Sequence, residues 1–229
     1  MATATHSALD GSQVSFTADI DLSLPLTAFG FVRPRGWRRP QPLNVFPAGK
    51  ADRVLESVPE AHPDVEFTLL DETPVNGGVL RMAKVRRPVA TGGYREFVYG
   101  VWEGSGSSIT TSVRGDSRKM TQFFNRLRFS ETETGIAVES PVDESIRPLR
   151  CLKEAGSALL EVRPLTRQVT RTLPRGRGRQ VDNGEVFRRS EGSRDVLLVT
   201  ETAAVFASPL TDSDEHVDLA ANIAVTWGA

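Results

Sequence analysis

Nucleophilic, metal-ion and phosphate chemistry each demand particular side chains at particular spacings, and this chain of 229 residues offers few of them. Its three histidines, His6, His62 and His216, stand apart, with no cysteine or second histidine at ligand spacing, so no zinc site is expected. Asp212, Asp214 and Asp218 in LTDSDEHVD resemble a calcium loop only loosely. The central glycine and the closing bidentate glutamate are missing, and an acidic turn or helix cap accounts for the run. Ser105, Ser107 and Ser108 lie in EGSGSS, which lacks the G-x-S-x-G elbow and an adjacent base, and so reads as a hairpin turn. Cys151 has Arg150 and Lys153 nearby, cations that would lower a thiol pKa, yet a lone cysteine in an apolar run reads as a small buried residue. RGRGR, from Arg175 to Arg179, is followed neither by the further glycine of a dinucleotide fingerprint nor by the Lys-Ser/Thr of a Walker loop. No catalytic residue, metal ligand or cofactor is assigned.

Arginine supplies the remaining chemistry. In FGFVRPRGWRRP, Arg33, Arg35, Arg38 and Arg39 interleave with Phe29, Phe31 and Trp37. Trp and Arg favour protein interfaces; Phe31 and Trp37 read as core residues, with the arginines solvated and open to a partner. Arg175, Arg177 and Arg179 form a second cluster in a Pro/Gly loop that could grip phosphate, nucleic acid or an acidic protein surface, although no aromatic stands beside it to stack on a base. These two groups, with Trp37, are the candidate partner-binding residues. Net charge is −1, but its placement is uneven: nine arginines against three acids in Arg163–Arg194, then six acids and neither Lys nor Arg in the last 35 residues. Such segregation suits faces that complement each other on one surface or across a self-interface.

The elements that would carry these residues are mainly strands. Val14, Phe16, Ala18, Ile20, Leu22 and Leu24 alternate with polar residues, the period of a strand with one buried face. Val217 to Trp227 repeats the pattern, with alanines that leave a helix open for its middle. Between the ends, the sequence predicts a short helix over Ala51–Val58, a strand at Val65–Leu70, and a meander of Val79–Val85, Tyr94–Trp102 and Ile109–Val113. Asp116 or Ser117 caps a helix with Met120, Phe123, Phe124 and Leu127 on one face. Further strands follow at Gly135–Val138, Glu185–Arg189 and Asp195–Phe206, with a mixed apolar stretch over Ile146–Val162. The polar run Phe129–Gly135 is the candidate boundary, giving a strand-rich α+β domain over residues 1–134 and a second over 135–229.

One cysteine cannot form an internal disulfide, and MATATHSALDGSQ lacks the basic and apolar regions of a secretory signal; a cytoplasmic protein without a membrane span is the expectation. Residues 28–138 add a family likeness. AFGFVRPRGW, VEFTLL, GGVLRMAKVRRP, YREFVYGVWEG, SSITTSV and SRKMTQFFNRLRFS, in that order, resemble the PsbP-like α/β/α sandwich. That superfamily includes Ran-binding Mog proteins, actinobacterial LpqN-type lipoproteins and chaperones of type VI secretion effectors. The resemblance implies a mostly non-enzymatic adaptor, chaperone or ligand-binding scaffold, and no family site residue maps onto this chain.

The expected fold is therefore α+β, a mostly antiparallel sheet with packed helices, as two tandem PsbP-like copies or one copy with a strand-rich extension. The expected function is non-catalytic binding of a protein partner or self-association, through a sheet face and the Arg-rich loops. An anionic ligand or nucleic acid is the weaker partner. A self-assembling structural subunit and an enzyme with an unrecognised site are the alternatives.

Overall fold

Alternating Val14, Phe16 and Ala18 bury one face of a strand, and that strand, β2 (Gln13–Ala18), pairs antiparallel with β1 (Ala2–Ser7). The computed structural model describes residues 1–49, 55, 65–140, 145–188 and 193–228. Within them the chain forms two compact units, Phe29–Arg147 and a terminal unit of Met1–Ala28 with Pro148–Ala229. The alternation beyond Ala18 does not extend β2. There Asp21 accepts the Ser23 N–H (2.8 Å) and Oγ–H (2.9 Å), closing a local turn that takes the backbone out of the ladder.

The middle unit runs β3 (Thr27–Arg33), β4 (Gln41–Pro47), β5 (Glu66–Leu69), β6 (Thr73–Val75), β7 (Gly78–Pro88), β8 (Tyr94–Glu103) and β9 (Ser107–Arg114). Its sheet order is β3-β4-β9-β8-β7-β5, with β6 on β7. Helix α1 (Ser117–Asn125) follows; Asp116 caps it by accepting the Lys119 N–H at 3.0 Å. Met120, Phe123, Phe124 and Leu127 are all at most 1% exposed, the apolar stripe that its spacing predicts. Asn76 closes the other end, its side-chain amide donating to the carbonyls of Phe124 and Leu127 at 2.7 Å each. The polar stretch after α1 is not a linker. β10 (Arg128–Thr132) and β11 (Gly135–Glu139) pair as a hairpin with Ile136 and Val138 buried, because polar residues at alternate positions need only one apolar face to fold.

The terminal unit continues with β12 (Ser145–Ala155), β13 (Ala158–Pro164), α2 (Arg167–Thr170), β14 (Arg179–Val181), β15 (Gly184–Arg188), β16 (Val196–Val199), β17 (Ala203–Pro209), α3 (Glu215–Asn222) and β18 (Ala224–Gly228). Its order is β14-β15-β16-β17-β13-β12, beside a second sheet, β1-β2-β18. So the alanine-rich middle of the C-terminal stretch is helical, with His216 and Ala220 buried, and only its end is a strand.

Both units trace one path. A first hairpin (β3–β4, β12–β13) pairs through its second strand with the last of a three-strand meander (β7–β8–β9, β15–β16–β17), and a short strand (β5, β14) lies at the edge. A helix and a closing strand follow (α1–β10, α3–β18), and that strand pairs outside the main sheet, β10 with β11 and β18 with β2. In chain order β2 leads the first run and β11 the second, so each closing strand is completed by the strand that leads the other run.

Antiparallel sheet dominates; α1, α2 and α3 have nine, four and eight residues, and Leu55 is helical as well. The mostly antiparallel sheet that the sequence predicts is present, in a sheet-rich fold with few helices. The helix expected over Ala51–Val58 lies outside the described residues except Leu55, which is 5% exposed against Ala83 and Val101.

Gly184 cannot carry a side chain. Gly184 opens β15 at φ +149, and a β-carbon there would lie 2.1 Å from the Val199 carbonyl oxygen across the ladder. Gly184→Val is expected to cost about 3 kcal/mol or more, since a forbidden dihedral and a backbone collision add. Urea unfolding measures it, and a change under about 1 kcal/mol would show that the β15–β16 pairing yields.

Candidate functional site

Alternation along β3 buries Ala28, Gly30 and Val32 and turns Phe29, Phe31 and Arg33 to the other face. The strand ends in a tight turn: Gly36 sits at φ +82, and the Trp37 N–H donates to the Pro34 carbonyl at 3.0 Å, a type II geometry that glycine makes possible. Trp37 is thereby laid on α1. Its ring lies 5.7 Å from the Phe123 ring, and the Lys119 ammonium stands 4.4 Å over its face while also donating to the Arg114 carbonyl at 3.2 Å. Arg126, at the end of the helix, donates to the Arg35 carbonyl at 3.4 Å.

The turn, with Arg33, Arg35, Arg38 and Arg39 in and beside it, is thereby docked on the helix that carries Arg118, Lys119 and, just past its end, Arg126, and Trp37 is half-buried. Among the described residues no carboxylate pairs with Arg33, Arg38, Arg39, Arg118, Lys119 or Arg126. Asp116, the acid nearest in sequence, is committed to the helix cap. Pooled cations without local compensation raise the potential over a surface and attract an anionic partner. The sequence signal for the helix cations is the spacing of Lys119 and Arg126, seven residues apart and so on one helix side. Phe31 is corrected: it is 38% exposed rather than core, because strand alternation gives the inward places to Gly30 and Val32.

Arg175, Arg177 and Arg179 form a separate cluster in the terminal unit, exposed in the loop that enters edge strand β14. Arg167, Arg171 and Arg188 of the same unit are also exposed, and none of the six has a carboxylate partner among the described residues. Glu185, the nearby acid, is spent on the loop itself by accepting the Gly178 N–H at 2.5 Å. In the acidic turn, Arg194 reaches Asp212 (3.0 Å) and Asp214 (3.8 Å) and donates to the Ser213 carbonyl at 3.0 Å. Arg194 also receives His216, whose Nε2–H donates to its carbonyl at 2.6 Å.

Two internal groups look reactive and are not. Cys151 is 1% exposed, and burial, with Asp10 adding repulsion, pushes its thiol up to about 12, so it is neither thiolate nor nucleophile near neutrality. Lys153, also 1% exposed and two residues along the same face of β12, donates to the carbonyls of Leu22 (2.9 Å) and Leu24 and to His6 Nε2 (3.0 Å). Burial lowers its pKa below the usual lysine value, opposed by Asp21. All three ammonium protons are engaged, which makes Lys153 a pin between β12, β1 and the chain after β2. Ser105 in the Gly/Ser turn has the same structural character: its N–H (2.9 Å), its hydroxyl (2.6 Å) and the Gly106 N–H (2.9 Å) all donate to Glu131. Those bonds hold the Glu131 carboxyl below its ordinary pKa against the opposing effect of burial.

Among the described residues no group of His, Cys, Asp and Glu is placed to hold a metal, and no helix is long and apolar enough to cross a membrane. No family model, curated protein or solved structure matches the chain.

Proposed function

We propose that the chain is a non-catalytic adaptor or chaperone, two copies of one PsbP-like sandwich, that binds an acidic protein partner through the basic surface around Trp37. The observation that carries this reading is the concentration of Arg33, Arg38, Arg39, Arg118, Lys119 and Arg126 around one turn and helix with no carboxylate partner among the described residues. Such charges repel each other unless an anion joins them, so a folded protein that keeps them together gains from binding one. The matching path of the two units supports duplication. A reducing, cytoplasmic setting suits the single buried thiol.

An acidic protein fits this surface better than nucleic acid. Single strands bind where open aromatic faces stack on bases, and Trp37 already carries Lys119 over one face and Phe123 against its ring. The exposed arginines offer forked donors that suit carboxylates. The Arg175–Arg179 loop is a second contact for the same kind of partner.

A fluorescent glutamate-rich peptide at low ionic strength tests this by anisotropy. The native chain is expected to bind it, with at least about tenfold weaker binding, about 1.4 kcal/mol, in Arg38→Glu/Arg39→Glu and a further loss as salt rises. Absence of peptide binding by the folded native chain, or equal binding by the variant, refutes the reading.

A further inference from the structure

The helices in corresponding positions of the two units carry opposite charge. Helix α1 and its flanks hold Arg114, Arg118, Lys119, Arg126 and Arg128 with Asp116 as the lone acid, whereas α3 and its approach hold Asp212, Asp214, Glu215 and Asp218 with neither Lys nor Arg. The acidic side is only partly compensated. Arg194 serves Asp212 and Asp214, whose side chains stay open to water at 108% and 88% exposure, and Glu215 and Asp218 have no cationic partner among the described residues. Two helices of eight and nine residues present similar lengths, roughly 12–14 Å at 1.5 Å per residue.

We infer that the acidic partner of the Trp37 surface is a second copy of this chain, whose α3 segment (Asp212–Asp218) lies along α1 and the Arg35–Arg39 turn. The inference rests on the binding reading above and names its occupant. The two faces differ, so the contact is heterologous, and each bound copy leaves one basic and one acidic face available for the next. Burying long arginines against carboxylates desolvates both, so the contact depends on salt and forms only where charges of opposite sign meet.

Sedimentation velocity on the full chain tests it through a charge exchange. At low ionic strength the native protein is expected to associate as its concentration rises and to return to monomer in about 0.5 M salt, where screening acts over a few ångströms. Arg118→Glu/Arg126→Glu and Glu215→Lys/Asp218→Lys should each remain monomeric alone. When the two are mixed, one reversed pair faces the other and one native pair survives, so association in the mixture above that of either variant alone supports the contact, and a mixture no more associated than the variants overturns it. Circular dichroism of each variant confirms that it is folded, and Glu215→Gln/Asp218→Gln, which removes charge without reversing it, should associate weakly. A native chain that stays monomeric at low salt overturns this inference, as does association that both reversals leave intact. The glutamate-rich peptide separates the two levels. Peptide binding without self-association leaves the acidic-partner reading standing and removes only the second copy, whereas loss of both removes the reading as well.

Discussion

Deletion of residues 1–18 is expected to unfold the terminal unit while the middle unit keeps its fold. β2 is the central strand of β1-β2-β18, paired from Gln13–Gly228 to Thr17–Ala224, and Val14 and Phe16 on it are 0% exposed. The turn before it receives the Trp227 indole N–H at Ser12 Oγ (2.8 Å). His6 on β1 caps the buried ammonium of Lys153. Losing two large apolar side chains, at about 1.5–3 kcal/mol each, with a buried polar pin and a strand ladder, removes on the order of 5 kcal/mol or more. That is comparable with the whole stability of a typical domain. The middle unit takes its equivalent strand, β11, from residues 135–139, which the deletion leaves in place. Hydrogen exchange read by mass spectrometry separates the units. Amides of β13, β16, β17 and α3 should lose protection, and those of β7–β9 and α1 should keep it. Uniform protection across both units in the truncated chain would show that β2 is dispensable.

The terminal unit is also expected to lose stability as pH falls from 6.5 to about 4, because burial first, and the Lys153 ammonium second, push the His6 imidazole from 6.5 to about 4. The sign follows from where the proton goes. Above pH 6.5 His6 is neutral in both states and costs nothing; between 6.5 and about 4 the unfolded chain takes up a proton that the folded chain refuses; below about 4 both are protonated and the loss levels off. At about 1.4 kcal/mol per pH unit, the full window from 6.5 to about 4 is worth on the order of 3.5 kcal/mol before solvent screening of the partly exposed imidazole reduces it. Lys153, whose pKa burial lowers against the opposing effect of Asp21, carries its own penalty as pH falls from the unfolded lysine value toward the folded one, and it is present in both chains of the comparison below. The Asp21 carboxyl, held low by its Ser23 hydrogen bonds, contributes an acid loss of its own, and Glu131 does the same in the middle unit. The comparison with His6→Gln isolates the imidazole, since glutamine can accept from Lys153 and does not titrate. The difference in unfolding free energy between native chain and variant should change between pH 7 and 4.5 by about 2 kcal/mol. A difference that stays constant across that range would mean that the folded state admits the His6 proton.

These two results bear on the same physical arrangement. Lys153 is an ion without an adjacent carboxylate, held by two carbonyl dipoles and a neutral imidazole, and such a charge is tolerated only where every proton is bonded. The three acceptors come from β1 and the chain after β2, so the N-terminal hairpin and the buried charge stabilise one another. The basic surface around Trp37 is the opposite case, with charges gathered in water and left uncompensated, and that difference separates a structural cation from one available to a partner.

Local sequence determined a good part of this protein. Asp116 and the Met120, Phe123, Phe124, Leu127 stripe define α1, because a cap and a 3.6-residue period need only their own residues. The meander of β7, β8 and β9 and the turn at Gly104–Ser107 follow from strand propensity and turn chemistry in the same way. The two arginine clusters were equally visible as composition. Tertiary structure alone decided who faces whom. Period two says which side chains of β2 turn inward but not that their ladder partner is β18, and the Ser12–Trp227 bond joins residues 215 apart. Neither does a sequence reveal that Lys153 is buried, since its three acceptors lie 129 to 147 residues away, or that the Arg35–Arg39 turn meets Lys119 and Arg126. Burial and charge compensation are properties of neighbours in space, and the chain brings those neighbours together only by folding.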